Sequence, residues 1–121
     1  MEERLKRGEA SGYNFILADI DGALAGYTCY GPIAGTERAH DLYWIAVEPQ
    51  RQGGGLGKLL ISETETALRG LGATRYFAET SSTERYAPTR NFYLRSGFRE
   101  VANIADFYRA GDGKVVYEKR L

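Results

Sequence analysis

Leu42-Tyr-Trp-Ile-Ala-Val47 is a nearly unbroken apolar run that leads through Glu48-Pro49 into the glycine-rich stretch Gln52-Gly-Gly-Gly-Leu-Gly-Lys58. An apolar run of this length predicts a central strand that is covered on both faces. The residues after the glycines follow an i, i+3, i+4 pattern, which predicts an amphipathic helix ending at Gly70 or Gly72. The positions on its inner face are Leu56, Leu59, Leu60, Thr64, Ala67, Leu68 and Leu71.

The segments on either side of this unit predict more strands and one short helix. Residues 2–10 are highly charged, and we expect one or two helical turns there. Asp21-Gly22 is a strong turn signal between residues 13–19 and 23–30, which therefore predict a β-hairpin. Further strands are predicted at residues 74–80, 98–104 and 115–121, with loops at residues 31–40 and 105–114. A short helix is predicted at residues 88–96, with Pro88 in its first turn and Gly97 at its end.

This order of elements predicts an α+β fold, that is, a mixed α and β protein. Strands that follow one another through short connections pair antiparallel, so most of the sheet should be antiparallel. The strand–helix–strand unit of residues 42–80 should supply the one parallel pair.

Composition favours one compact protein without a nucleic-acid or membrane partner. The chain has 121 residues, and its 16 basic residues balance its 16 acidic ones, whereas nucleic-acid partners usually require a positive excess. A single cysteine, Cys29, fits a reducing compartment, and no apolar run is long enough to span a bilayer. Because the N-terminus is charged and lacks a signal-peptide core, we expect a cytoplasmic protein. No Cys/His or Asp/Glu/His cluster has metal-ligand spacing, so no metal is expected.

The glycine loop predicts an anion site. A helix N-terminus presents about four unpaired N–H groups and roughly half a positive charge, and glycines let an anion approach these donors closely. The spacing fits neither a P-loop, since Gln52 replaces its first glycine and Leu59 its Ser/Thr, nor the Rossmann fingerprint, since Lys58 replaces its last glycine. The alternative is a helix that merely begins with flexible glycines and binds nothing.

Gln52-Gly-Gly-Gly-Leu-Gly57 resembles the Q/R-x-x-G-x-G/A motif of the GNAT superfamily of acetyltransferases. Two flanking stretches are also similar to this family: Ile45-Ala-Val-Glu-Pro49 resembles its fourth strand, and Phe92-Tyr-Leu-Arg-Ser-Gly-Phe98 its last helix. The resemblance covers roughly residues 13–121. It implies a single acetyltransferase domain over residues 1–121, with a GNAT acyl-CoA N-acyltransferase fold whose parallel strands splay apart.

The resemblance also implies a set of residues that bind acetyl-CoA, the co-substrate. The backbone of residues 45–47 would pair with the pantetheine arm, and the backbone N–H groups of the glycine loop would hold the pyrophosphate. Tyr86 stands where the family commonly has an asparagine that contacts coenzyme A, and its alternative place is the acceptor pocket. The implied set is Ile45, Ala46, Val47, Gln52, Gly53, Gly54, Gly55, Leu56, Gly57, Lys58 and Tyr86.

Three residues are candidates for the chemistry. Tyr93 matches the family tyrosine near the thioester sulfur and would donate a proton to the departing thiolate; its alternative role is a core aromatic. Asp41 stands six residues before Val47, where several family members carry a glutamate base on the fourth strand, so the resemblance makes it the first candidate base, acting through water because an aspartate is shorter. Glu79, near the end of the fifth strand, is the second candidate. The alternative for both carboxylates is a solvated strand end. His40 and Cys29 are expected to be structural.

The expected acceptor is the amine of a small molecule or an amino-acid-like compound, with a protein N-terminus or lysine as a further possibility. Acidic and aromatic residues of the predicted loop 105–114 suit a cationic amine, although a solvated hairpin tip is the alternative. They are Asp106, Phe107, Tyr108 and Asp112.

Family members normally have a strand and one or two helices before the hairpin, whereas about a dozen residues precede Tyr13 here. We therefore expect these elements to be missing, an apolar region of the sheet to be exposed, and the chain to form a dimer or other homo-oligomer. The competing hypotheses are a non-catalytic acyl-CoA binding module or sensor, and a structural subunit whose glycine loop binds no ligand.

Overall fold

The structure, a computed structural model, describes residues 3–121, which build a seven-stranded sheet in the order β1-β2-β3-β4-β5-β7-β6. The strands are β1 Glu3–Ala10, β2 Tyr13–Ile20, β3 Ala23–Pro32, β4 Ala39–Val47, β5 Arg75–Ser81, β6 Arg99–Arg109 and β7 Asp112–Arg120. The helices are α1 Leu56–Gly70 and α2 Ala87–Arg95, and short 3₁₀ turns span Pro49–Arg51 and Glu84–Tyr86. Neither α-helix of these residues is long and apolar enough to cross a membrane.

The central part of the sequence prediction is confirmed. β2 and β3 form the predicted antiparallel hairpin, and β4 and β5 form the one parallel pair of the described sheet. The helix α2 has its proline in the first turn, and Gly97 follows its end with a φ of +94° that favours glycine.

The prediction of helical turns at residues 2–10 is wrong for residues 3–10; residue 2 lies outside the described residues. β1 pairs with β2 from Glu3↔Ile20 to Ala10↔Tyr13, through a turn at Ser11 and Gly12 that has positive φ at both positions. An edge strand buries little, and here only Leu5 packs against the core, so the segment lacks an alternating apolar pattern. The strand expected to be missing before the hairpin is therefore present, and no helix separates β1 from β2.

Both helices pack on one face of the sheet. Thr64 of α1 bonds Thr28 of β3, Glu65 of α1 accepts a hydrogen bond from the Tyr76 hydroxyl of β5, and Tyr93 of α2 packs on the ring of Tyr117 of β7. Leu71, predicted on the inner face of α1, is 62% exposed because the helix has already ended at Gly70.

The opposite face of the sheet is not covered by any element among residues 3–121. Leu42 of β4 is buried on the helix face, but Trp44 is 47% exposed, so the prediction that this strand is covered on both faces is wrong. The expectation of an exposed apolar sheet region is confirmed. Its aromatic and aliphatic members are Tyr13, Phe15, Leu17, Tyr27, Tyr43 and Trp44.

The predicted loop at residues 105–114 is mostly strand, which corrects the sequence analysis. β6 continues to Arg109 and β7 begins at Asp112, so the turn is confined to Ala110 and Gly111. The pairing is irregular between Ile104 and Arg109, where Asp106 adopts a φ of +56° and its Oδ1 accepts a hydrogen bond from the Gly111 N–H at 2.7 Å. This irregularity interrupts the period-two pattern that would have revealed the strands.

Candidate active site

β4 and β5 separate halfway along their length. Their parallel pairing runs from Ala39↔Arg75 to Leu42↔Ala78 and stops there, while β4 continues to pair with β3 as far as Val47. Tyr43 is an extra residue on β4, since Leu42 pairs with Tyr30 and Trp44 pairs with Cys29, the residue directly before Tyr30. A bulge of this kind bends a strand and opens the ladder on its other side. The backbone of residues 43–47 therefore lacks a β5 partner among the described residues.

The glycine loop lies at the end of this opening. Gly53 and Gly55 have φ values of +84° and +86°, which a residue with a side chain adopts at a cost, and Gly55 is the N-cap of α1. The first N–H that donates at this end belongs to Leu59, which bonds the Gly55 carbonyl at 3.1 Å. The N–H groups of Leu56, Gly57 and Lys58 therefore have no intrahelical acceptor, and they carry the partial positive charge of the helix N-terminus.

Two contacts fix the loop against its surroundings. The Gln52 Nε2 donates a hydrogen bond to the Val47 carbonyl at 3.1 Å, which ties the loop to the end of β4. A Cβ placed on Gly57 would lie only 3.0 Å from the Phe92 ring, so the lack of a side chain at Gly57 lets Phe92 of α2 pack against the first turn of α1. The fold thus brings together the glycine-loop motif and the motif around Tyr93, although Gly57 and Phe92 are 35 positions apart in the sequence.

Tyr93 lies on the helix face of the sheet and is 3% exposed. Its ring packs edge-on against Phe98 at 5.3 Å and beside Tyr117 at 5.6 Å. Burial, together with the neighbouring Tyr117 phenol, raises the pKa of Tyr93 to about 12. The phenol is therefore fully protonated at neutral pH, which is the form that a proton donor requires.

Asp41 and Glu79 lie on the open face of the sheet, and the charge of Lys114 acts on both. The Lys114 Nζ is 3.0 Å from a Glu79 carboxylate oxygen and 4.5 Å from the centre of the Phe107 ring. Burial raises the pKa of Asp41, the charge of Glu79 raises it further, and Lys114 opposes both effects. Asp41 therefore holds a proton more readily than an ordinary aspartate does, whereas Glu79 already has a counter-ion.

The Acetyltransferase (GNAT) family model matches residues 1–98 of the chain. The chain belongs to the GNAT acetyltransferase family. Its fold agrees with this family: a mostly antiparallel sheet with one parallel, splayed pair and helices on its face.

Several proteins are similar to this GNAT chain. A crystallised protein from Desulfovibrio desulfuricans, described as a GNAT-family acetyltransferase, has 50% sequence identity and a TM-score of 0.89, over 93% of this chain and 71% of its own. The amino-acid acetyltransferase of Pseudomonas paraeruginosa is 32% identical over 107 residues. The match covers 88% of this chain but 24% of that protein, so the chain spans about a quarter of the length of the curated relatives it matches.

A GNAT acetyltransferase from Elizabethkingia anophelis, crystallised with acetyl-CoA bound, has a TM-score of 0.83 over 98% of both chains. Its sequence identity to this chain is 12%, so this likeness concerns the fold alone.

The remaining predicted residues of the GNAT chain fall near the opening or outside it. Tyr86 is 40% exposed in the turn before α2, where it lines an open cleft of about 610 Å³ together with Glu79 and Tyr108. Asp112 lines the same cleft, but it is paired with Arg109 at 2.7 Å and accepts a hydrogen bond from Ser81, so it does not offer a free carboxylate to a cation.

His40 and Cys29 lie where a structural role is expected. Burial lowers the pKa of His40, and its Nδ1 has no hydrogen-bond partner among the described residues. Cys29 is fully buried on the open side of the sheet, between its cross-strand neighbours Phe15 and Trp44. Within residues 3–121, no three His, Cys, Asp or Glu side chains gather as a metal site.

The sequence analysis missed Lys114 because it placed this residue in a loop. In the structure Lys114 is the third residue of β7, opposite Ser81, and its side chain is 19% exposed. No local signal marks it, since the register of β5 with β7 alone brings it beside Glu79.

Proposed function

We propose that this GNAT protein transfers an acetyl group from acetyl-CoA directly to the amine of a small molecule. The observation that carries the proposal is a continuous surface: the unpaired edge of β4 beyond Leu42 leads to the unpaired amides at the start of α1. An unpaired strand edge suits the amide groups of a pantetheine arm, and a helix start suits a pyrophosphate. The acetyl-CoA in the structural neighbour from E. anophelis supports the same co-substrate.

In this proposal three parts of the chain surround the coenzyme. Ile45, Ala46 and Val47 offer their backbone to the pantetheine arm. The loop from Gln52 to Lys58 holds the pyrophosphate, and Tyr86 borders the coenzyme or the acceptor from the turn before α2. Acetyl-CoA supplies the thioester carbonyl that the amine attacks.

In this proposal Tyr93 is the acid and Asp41 the base, on opposite faces of the sheet, and the reacting groups meet in the opening that begins after Leu42. Tyr93 on the helix face donates a hydrogen bond to the leaving sulfur. With its pKa near 12, against about 8.5 for a thiol, it stabilises a thiolate more readily than it gives up its proton completely. Asp41 on the open face accepts the proton that the attacking amine must lose, directly or through water. Glu79 holds Lys114 and adjusts the charge around Asp41.

The acceptor is a small-molecule amine or an amino-acid-like compound, which fits the amino-acid acetyltransferases among the relatives. The exposed apolar face of the sheet favours self-association, and we propose a cytoplasmic homo-oligomer. Light scattering that finds a monomer at high concentration would remove the oligomer from the proposal.

The alternative is a non-catalytic acyl-CoA binding module. The uncovered sheet face favours it, because no described element walls the acceptor side opposite the helices. Binding and turnover therefore have to be measured separately.

The first experiment measures coenzyme A binding by calorimetry for the wild type, Gly53→Ala and the matched control Gly72→Ala. Both glycines have nearly equal positive φ values, +84° and +81°, with nothing within 4 Å of an added Cβ. Each variant should lose about 1–2 kcal/mol of stability from left-handed strain. Only Gly53→Ala should weaken coenzyme A binding. Its loop relieves part of the strain by changing backbone conformation, and this change turns the following N–H groups away from the anion. Equal affinity in both variants would contradict the loop as the anion site.

The second experiment follows thiol release from acetyl-CoA with a panel of amines. Turnover with any amine supports the transferase. Tight coenzyme A binding without turnover of any amine supports the binding module instead, and absence of binding leaves the glycine loop with a structural role.

A further inference from the structure

The open cleft beside Glu79 is lined by one arginine that is not part of an ion pair in the described part of the chain. Its two carboxylates already have cations: Glu79 is 3.0 Å from Lys114, and Asp112 is 2.7 Å from Arg109. The remaining charged residue of the lining is Arg85, which no carboxylate of residues 3–121 approaches within ion-pair distance. Its guanidinium lies 5.9 Å from the centre of the Tyr86 ring. Arg85 is therefore the charged residue of the lining whose guanidinium has no ion-pair partner among residues 3–121.

The frame around Arg85 is held in place by hydrogen bonds. Arg90 donates to the carbonyl groups of Ser81 and Thr83, at 2.8 and 2.7 Å. Two hydrogen bonds join Ser82 and Gly113: the Ser82 N–H donates to the Gly113 carbonyl, and the Gly113 N–H donates to the Ser82 Oγ. These bonds attach the end of β5 to the start of β7 and fix both walls of the cleft. The Arg85 side chain itself is exposed and makes no hydrogen bond within the described part of the chain.

The walls also carry two flat aromatic surfaces. Tyr86 and Tyr108 are 40% and 45% exposed and line the same cleft. Phenol rings cover the aliphatic body of a small molecule well, while an arginine pairs with a carboxylate or phosphate through its planar fork of donors. The cleft begins at Glu79, which is also next to the charge of Asp41.

From this arrangement we infer that the acceptor is an amine that also carries an anionic group, held by Arg85 while its carbon chain lies between Tyr86 and Tyr108. This inference rests on the proposed function, because it places the amine at Asp41 and Glu79. It makes Arg85 a specificity-determining residue. The anionic group is a carboxylate or a phosphate-like group, and the two are separated by the test.

The experiment uses ω-amino acids of increasing length, from glycine through β-alanine and 4-aminobutyrate to 5-aminopentanoate, each beside its primary amide. Aminoalkylphosphonates of the same lengths form the second arm. Both the KM in the thiol-release assay and the Kd by calorimetry with coenzyme A present are measured. The wild type should prefer the anionic member over the amide, with a maximum at one chain length. The arm with the larger preference identifies the anionic group.

Arg85→Gln should raise KM and Kd of the preferred anionic compound about tenfold, the low end for hydrogen bonds between charged groups, because the site is exposed. The neutral amide and acetyl-CoA should be unaffected. Arg85→Lys, which keeps the charge, should recover part of the loss. Arg95→Gln, which replaces another exposed arginine at the end of α2, is the control and should behave as wild type.

Two results would overturn the inference: no preference for the anionic compound at any length, or an equal effect of Arg85→Gln on the acid and its amide. Turnover of the neutral amides together with either result leaves the acetyltransferase intact and removes only the anionic acceptor. If no amine is turned over, the proposed function fails, and the calorimetric preference for acid over amide still decides the role of Arg85.

Discussion

Gly26 is the position where a single methyl group should most directly disturb the site. It lies on β3 opposite Val47, and a Cβ built on it would be 2.8 Å from the Ala46 carbonyl oxygen and 3.1 Å from the Leu60 Cδ1. Ordinary contacts begin near 3.4 Å, so the oxygen would have to retreat by about 0.6 Å. The Leu60 methyl can turn aside, but the carbonyl moves only with the backbone of β4. Overpacking of this kind costs about 1–3 kcal/mol.

Gly8→Ala is the matched control for Gly26→Ala. Gly8 is also a strand glycine without positive φ, but nothing lies within 4 Å of its added Cβ. Replacing it should stabilise the protein by up to about 1 kcal/mol, because the unfolded chain loses conformational freedom. With about 4 °C per kcal/mol for a domain of this size, Gly26→Ala should lower Tm by about 4–12 °C, and Gly8→Ala should raise it by up to about 4 °C.

Differential scanning calorimetry with and without acetyl-CoA measures both the stability of each variant and its binding of acetyl-CoA. The ligand-induced rise in Tm should be smaller for Gly26→Ala than for wild type, because Ala46 belongs to the strand edge proposed to bind the pantetheine arm, and unchanged for Gly8→Ala. A Gly26→Ala protein as stable as Gly8→Ala would contradict the close contact between Gly26 and the Ala46 carbonyl. Normal acetyl-CoA binding by a destabilised Gly26→Ala would show that the edge of β4 does not contribute to the acetyl-CoA site.

Three further predictions concern the chemistry and the core. Tyr93→Phe should lower kcat about 10²-fold or more with little change in acetyl-CoA affinity; stopped-flow turnover at an unchanged rate would remove this phenol from the acid role. If Asp41 is the base, activity falls as pH decreases through its pKa; Glu79→Gln removes a charge that raises this pKa, so the acidic limb of the pH–rate profile should move to lower pH, and a move to higher pH would contradict the assignment. Thr64→Val should cost about 1–3 kcal/mol in urea unfolding, because it leaves the buried Thr28 hydroxyl without its 2.7 Å partner, whereas replacing both threonines by valine should restore most of the loss.

The parts of the fold that could be predicted are those where local pattern and tertiary role agree. The glycines before Leu56 mark the start of α1, and the Asp21-Gly22 turn marks the first confirmed hairpin, because each needs a backbone conformation that few residues adopt. The motif around Tyr93 likewise lies on a short helix whose proline and following glycine fix its two ends.

The parts that could not be predicted depend on which face of a strand the rest of the molecule covers. Residues 3–10 carry too few apolar side chains to resemble a strand. They form one because β1 is stabilised mainly by its backbone pairing with β2 and not by burial of its own side chains. Trp44 belongs to an apolar run, yet it is exposed, because a bulge at Tyr43 reverses the alternation of side chains.

The same limit applies to the candidate site. Asp41 could be proposed because the resemblance places a base there, and Glu79 from its place near a strand end. Lys114 joins them only through the register of β7, and Arg85 stands out only once the partners of the other charges are known.

Four residue pairs, Ala39↔Arg75 to Leu42↔Ala78, form the whole ladder between the β1–β4 half of the described sheet and the β5–β7 half, and one backbone hydrogen bond from the Thr74 N–H to the Arg38 carbonyl extends it. Water can exchange with the amide protons of residues 43–47 on their free side for as long as the opening stays empty. A guest molecule with a peptide-like backbone would close that seam and make the two halves one continuous ladder. Slowed deuterium uptake at those amides of residues 43–47 that point away from β3 is thus a direct gauge of occupancy, and it should extend to the amides of β5 residues 79–81 that face the opening.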